Sequence, residues 1–261
     1  MHITLSLNES VHENAGHYFE KSKKLRKKVE GAHASVARLR QQLEQIEKKS
    51  AALVQKQQEK KTKVPQRPLQ WFEKFRWFRS SEGFLCLGGR DASTNEIIVN
   101  KHTDKHDRVF HTQMAGSPFF TIKTEGKVPG DTTLAEAAEA TASFSRAWRS
   151  KIAALDVFWV NPDQLSKTAE AGEFIAKGAF MVRGRRNTST VVLGLAVGMT
   201  SEGLVMCGPV AAVRAHCPKV VRIVPGDDRP SDAAKAIAKR IGAEVDDVLR
   251  VLPAGGIKVL Q

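Results

Sequence analysis

Trp71-Phe72-Glu73-Lys74-Phe75-Arg76-Trp77-Phe78-Arg79-Ser80-Ser81-Glu82-Gly83-Phe84-Leu85-Cys86-Leu87 is the stretch whose reading decides the fold. Apolar runs flank Ser80-Ser81-Glu82-Gly83, a cluster of turn formers, so 75–79 and 84–87 read as a β-hairpin. In an extended 71–78, one face carries Trp71, Phe75 and Trp77, and the other Phe72, Lys74, Arg76 and Phe78. The first set is expected in the core. The mixed face interleaves rings with cations, a pattern that suits bases and phosphates.

Downstream, strands are expected at 96–100, 108–112, 119–123, 157–160 and 179–183. Thr133-Leu134-Ala135-Glu136 reads as a capping box opening an Ala-rich helix to about Lys151. From 191 onward the rhythm changes. Strands at 191–197, 204–207 and 220–224 alternate with helices at about 209–216, 231–241 and 245–251, with Ser231 as a helix cap and Pro225-Gly226-Asp227-Asp228 as a turn.

Upstream, the first 64 residues contain no proline and only two glycines, Gly16 and Gly31. An apolar seam steps through Tyr18, Leu25, Val29, Val36, Leu39, Leu43, Ile46 and Leu53. A helix over 11–61 is about 75 Å long at about 1.5 Å per residue, too extended to bury that seam against itself. It therefore calls for a second helix, from another copy or from a partner. Val64-Pro65-Gln66-Arg67-Pro68 ends the arm. The expected class is α+β: a long N-terminal coiled-coil helix (1–64), a mainly antiparallel β middle domain with one principal helix (65–190), and a small C-terminal α/β module (191–261).

Lys and Arg number 41 against 28 Asp and Glu, a net charge of +13 that favours a polyanionic partner. Residues 1–64 hold 14 of the basic and 7 of the acidic side chains. Lys21, Lys23, Lys24, Arg26, Lys27 and Lys28 crowd together with no acid among them, so they repel one another unless phosphate is near. Arg183-Gly184-Arg185-Arg186-Asn187 sets three arginine forks beside a glycine, a match for a phosphate backbone.

Other chemistries fit less well. Gly88-Gly89-Arg90-Asp91 lacks the spacing of a nucleotide loop and reads as a tight turn locked by an Arg–Asp pair. His102, Asp104, His106, Asp107 and His111 match no metal spacing, although an RNA-processing enzyme would place its site there. No serine sits in a Gly-x-Ser-x-Gly elbow. Cys86, Cys207 and Cys217 are too scattered for a disulfide framework or a paired zinc site and read as core thiols. The opening residues carry no export signal, and the longest apolar run, 191–199, is far short of a membrane span. The expectation is a cytoplasmic protein with no cofactor, no metal and no membrane partner; export and an adhesion or scaffold role are disfavoured.

The motifs taken together resemble the NFACT-R (DUF814) domain of the RqcH/NEMF family of ribosome-associated quality-control factors, archaeal type. The resemblance runs from Trp71–Phe78 through Gly88-Gly89-Arg90-Asp91, Asn95-Glu96, His111, Gly116-Ser117-Pro118-Phe119, Ala147-Trp148 and Trp159. It closes with Gln164-Leu165-Ser166-Lys167, Gly172-Glu173-Phe174 and Gly178–Asn187. The stretch from Glu13-Asn14-Ala15 is similar to the second arm of the family's coiled-coil hairpin, and Gly208-Pro209-Val210, Pro225-Gly226-Asp227 and Leu252-Pro253 to a C-terminal module of archaeal members. The resemblance implies a non-enzymatic factor that binds rRNA of the large ribosomal subunit and peptidyl-tRNA. Its expected RNA contacts are Lys23, Lys24, Arg26, Lys27, Lys28, Arg90, Lys167, Arg183, Arg185 and Arg186. The family's NFACT-N domain and first coiled-coil arm are not in this sequence, so a separate NFACT-N-type protein, or self-association through the arm, is expected to complete it.

Overall fold

The computed structural model describes residues 3–61, 68–168 and 176–260, with backbone only at 48–49 and 51–61. The expected break at 64–67 and the Gly172-Glu173-Phe174 motif lie outside the described residues, as does the side chain of Leu53. The chain divides into Met1–Pro68 and Leu69–Gln261. No helix among the described residues is long and apolar enough to cross a membrane.

In the first unit a single helix, α1, runs Val11–Lys61. Ser10 starts it: its hydroxyl accepts the Glu13 N–H at 3.3 Å while the Glu13 carboxylate accepts the Ser10 N–H at 2.8 Å. Residues 4–10 fold back along the first turns. Asn14 Oδ1 accepts the Ser6 N–H, its amide donates to the carbonyls of Ser6, Glu9 and Ser10, and the Tyr18 hydroxyl both accepts from and donates to the Thr4 backbone. The seam stays open to solvent, with Leu25, Val29, Leu39, Leu43 and Ile46 each more than half exposed.

The second unit opens with a 3₁₀ turn, Trp71–Lys74, so the alternation of an extended 71–78 holds only from Arg76 onward. Phe72, Phe75, Trp77 and Phe78 are buried, but Trp71, expected in the core, is 49% exposed and stacks on His102. The hairpin forms as expected, β1 (Arg76–Arg79) with β2 (Leu85–Gly88). Next come α2 (Ala92–Lys101), β3 (Arg108–Thr112), β4 (Phe120–Lys123), α3 (Asp131–Ser143), α4 (Arg146–Arg149) and β5 (Ala154–Val160). A small pair, β6 (Leu165–Ser166) and β7 (Met181–Val182), precedes β8 (Asn187–Val192). The main sheet is antiparallel in the order β1-β2-β4-β3-β5-β8, and α3 packs on one face through its alanines. Beyond it, β9 (Leu195–Met199), β10 (Val205–Gly208), α5 (Val210–His216), β11 (Val220–Asp228), α6 (Pro230–Ile241), α7 (Val245–Val251) and β12 (Ile257–Val259) build a second sheet, β10-β9-β11-β12.

Several local expectations are corrected. Residues 96–100, whose Ile-Ile-Val suggests a strand, lie in α2, because the Asp91 carboxylate accepts the Thr94 N–H at 2.8 Å and caps that helix. Helix α3 starts two residues before the expected cap Thr133. The Glu82 carboxylate reaches across from the hairpin to accept the N–H groups of Gly130 and Thr133, so the cap is supplied from elsewhere in the chain. That helix ends at Ser143 rather than near Lys151, and Ser145 caps the short α4.

The strand expected over 191–197 is two, since β8 ends at Val192 in the main sheet and β9 begins at Leu195 in the second. Residues 225–228 are a bulged continuation of β11 rather than a turn, and Ser231 lies inside α6, behind Pro230. Only Met181–Val182 of the strand expected over 179–183 forms. All strand pairs of the second sheet are antiparallel, and helices α5, α6 and α7 are interleaved with its strands along the chain. One hydrophobic core runs from Phe75 and Phe120 to Leu195, Ile237 and Ile257.

Candidate nucleic-acid interface

The face of the main sheet turned away from α3 carries a second, smaller cluster. Alternation along β3 and β5 sends Val109, Phe158 and Val160 to that side, where they meet Phe119 and, from the β6–β7 region, Leu165, Phe180 and Val182. His111 joins them. Its ring stacks on Phe119 with centroids 4.1 Å apart and stands 6.1 Å from Phe158; Phe119 meets Phe180 edge-on at 5.4 Å. A cation sits at each end of this row: the Arg186 guanidinium 4.8 Å from the Phe158 ring centre, and the Lys167 ammonium 4.5 Å from that of Phe180. Burial pushes the His111 imidazole down to about 4, so it is uncharged at neutral pH and acts as ring surface.

Lys167 and the loop that carries Arg186 are each held by hydrogen bonds. Lys167 Nζ donates to Glu96 on α2 at 2.5 Å, and the Gly178 N–H donates to the same carboxylate oxygen at 3.0 Å. Those two donors keep Glu96 below the usual carboxylate range. The Gln164 amide donates to the carbonyls of Arg183 and Arg185 at 2.8 and 2.9 Å, and its own backbone carbonyl accepts the Arg183 N–H. Gly184 between them has φ of +79°, which allows the tight loop that exposes Arg183, Arg185 and Arg186.

Beside the row lies a cleft of about 490 Å³, lined by His111, Phe119 and Phe180 and by the backbone at Gly89, Gly116 and Gly178. Three separate motifs of the sequence, 88–91, 116–119 and 178–180, therefore converge on one place.

The predicted contacts fall into three groups. Lys167 and Arg186 reach this face, and Arg183 and Arg185 share the exposed loop of Arg186. Lys23, Lys24, Arg26, Lys27 and Lys28 are exposed on α1, in the other unit. Arg90 instead holds the fold together. Its guanidinium donates to the carbonyls of Glu73, Lys74, Phe75 and Arg250, tying the 3₁₀ turn to α7, rather than forming the lock with Asp91 that was expected. The histidine cluster disperses. Asp104 and Asp107 pair with Lys123, His102 stacks on Trp71, and His111 enters the ring row. Among the described residues no three His, Cys, Asp or Glu side chains are grouped to hold a metal. The sequence placed Phe119, Phe180 and Gln164 only within the family motifs and Phe158 only within an expected strand, none of them among the RNA contacts; the two-residue period of β3 and β5 was the available signal for Phe158.

Residues 74–184 match the family described as NFACT protein RNA binding domain. The chain is 40% identical over 198 residues to the archaeal Rqc2 homolog aRqcH of Methanocaldococcus jannaschii, covering 73% of this chain and 29% of that protein. It is 43% identical over 126 residues to the ribosome quality control complex subunit NEMF homolog of Drosophila melanogaster, covering 48% of this chain and 12% of the relative. Against human ribosome quality control complex subunit NEMF the identity is 35% over 179 residues, 67% of this chain and 16% of the relative. The matched region is thus less than a third of the length of each of these relatives.

Proposed function

The chain belongs to the NFACT-R family, and from that premise we propose that it is a non-enzymatic, cytoplasmic RNA-binding factor that associates with the large ribosomal subunit in quality control of stalled translation. The observation that carries this reading is the convergence of the family motifs on one row of rings ended by cations. The partly exposed rings of His111 and Phe180, backed by the buried Phe119 and Phe158, offer stacking surface to unpaired bases and the guanidinium and ammonium groups match phosphates, so the row suits RNA of the subunit or of peptidyl-tRNA. The basic run 21–28 adds a second cationic site on the arm. The arm's exposed seam supports a coiled-coil partner, either an NFACT-N-type protein or a second copy.

Two measurements test the reading. In gradient sedimentation after subunit splitting, the chain is expected with free large subunits; its recovery only with small subunits, or at the top of the gradient, overturns the assignment. Binding to a short RNA should weaken steeply with salt. Replacing Arg183, Arg185 and Arg186 with Ala should flatten the slope by about two, at about 0.7 per single-strand phosphate contact. An unchanged slope removes these arginines from the interface.

A further inference from the structure

The cleft beside the ring row has a shape that general affinity for RNA does not require. Its volume of about 490 Å³ lies within the range of small-ligand sites, far too small for a helix of paired strands. Two of its three glycines leave no room for a side chain: a Cβ on Gly89 would stand 1.8 Å from Asn95 Oδ1, and one on Gly178 2.5 Å from Ala92 Cα. Gly116, at φ +85°, faces the Arg146 guanidinium, 3.4 Å from where its Cβ would be. Gly89 and Gly178 are thus packed against Asn95 and Ala92, which fixes the walls of the cleft, and Gly116 stands exposed at its edge.

Inside, the partly exposed His111 and Phe180 supply ring surface, with Phe119 buried behind them. The charged groups that border the interior are already engaged, Arg90 with four carbonyls and Asp91 with the start of α2. At the rim stand exposed Lys177 and Arg146. Apolar rings within and cations at the mouth match the two halves of a nucleotide. A duplex keeps its bases stacked and offers only phosphates and groove edges, which protruding elements reach and recesses do not. A base that is to enter a pocket must leave the stack or already be unpaired.

We infer that this cleft takes a single unpaired nucleotide of the bound RNA, its base against the rings and its phosphate toward Lys177 and Arg146. This rests on the RNA-binding reading above and narrows its ligand to single-stranded or looped RNA.

The test uses the full chain and a short RNA carrying one 2-aminopurine, either single-stranded or locked in a duplex of the same sequence. Ala179 is exposed and lines the cleft, so Ala179→Trp fills it without touching the core. The wild type is expected to bind the single strand about tenfold more tightly than the duplex, with quenching of the 2-aminopurine, as stacking of one base implies. In Ala179→Trp that preference should vanish while duplex affinity and the circular dichroism stay unchanged. Lys177→Glu, at a second exposed rim position, should also reduce the preference and serves if the first variant misfolds. Equal wild-type affinity for the two RNAs, or full preference in folded variants, overturns the nucleotide site and leaves the RNA-binding reading standing. Binding of neither RNA overturns both.

Discussion

In the arm, Lys21, Lys23, Lys24, Arg26, Lys27 and Lys28 stand exposed within eight helical residues; in the body, Lys167 lies over Phe180 and against Glu96, and Arg186 over Phe158. Both regions suit phosphate, by different physics. The arm's side chains are solvated point charges distributed around a helix, and they act through number and counterion release. Those of the body are held against rings beside an uncharged platform, which reduces the ordering entropy lost on binding. On the function proposed above, charge in the arm would set how strongly RNA is drawn in, and geometry in the body would set which RNA stays.

The contrast extends to stability. Trp148 is fully buried and its indole N–H donates to the Gly256 carbonyl at 3.0 Å, so Trp148→Ala should cost about 3–5 kcal/mol in urea unfolding. Leu39, 59% exposed on the arm, should cost under about 0.5 kcal/mol when changed to Ala. A large loss at Leu39 in the isolated protein would mean that the seam is already covered in solution by a second copy.

Acid separates the ring row from a merely solvated surface. The His111 imidazole is held at about 4 by burial, with the Arg186 charge adding to the effect, whereas an unfolded histidine titrates near 6.5. Above that value both states are neutral and nothing is lost. As pH falls from 6.5 toward 4, only the unfolded chain takes up this proton, so stability should drop by roughly 3 kcal/mol across the window. His111→Phe should remove that part of the pH dependence of the melting temperature; an identical profile would show that His111 is not the group responsible.

Replacing all six cations of 21–28 with Gln keeps helix propensity but removes phosphate contacts. If half of them touch RNA, affinity at about 0.1 M salt should fall about a hundredfold, with a shallower salt slope. Gln164→Ala sharpens the comparison from the other side. It frees the Arg183–Arg185 loop without altering charge, so affinity should fall only about fivefold and the salt slope should stay the same. A changed slope there would mean that the loop acts through charge number after all.

Much of the fold was legible locally. A proline-free, Lys- and Gln-rich stretch with a sustained seam could only be a long helix, and turn formers between two aromatic runs marked the first hairpin. Residues 96–100 read as a strand because β-branched Ile97, Ile98 and Val99 imitate one, while the decisive signal was the capping carboxylate of Asp91, which opens a helix over 92–101. The start of α3 was misplaced because its cap, Glu82, is supplied 48 residues earlier in the chain. The arginine loop was found from composition, but the rings that accompany it were not. Phe119, Phe158 and Phe180 lie in separate segments, and each alone looks like ordinary core.

The sequence by itself determined the α+β class, the basic arm and its unpaired seam, and the family of the domain, because each is written in composition, in periods of two or seven, or in ordered short motifs. Only the tertiary structure decided which cations are positioned. Glu96 meets Lys167 and Gly178, His111 meets Phe119 and Phe158, and Arg90 meets the carbonyl of Arg250. These contacts join residues far apart in the chain, and no local period specifies which strands become neighbours or which side chains then share a face.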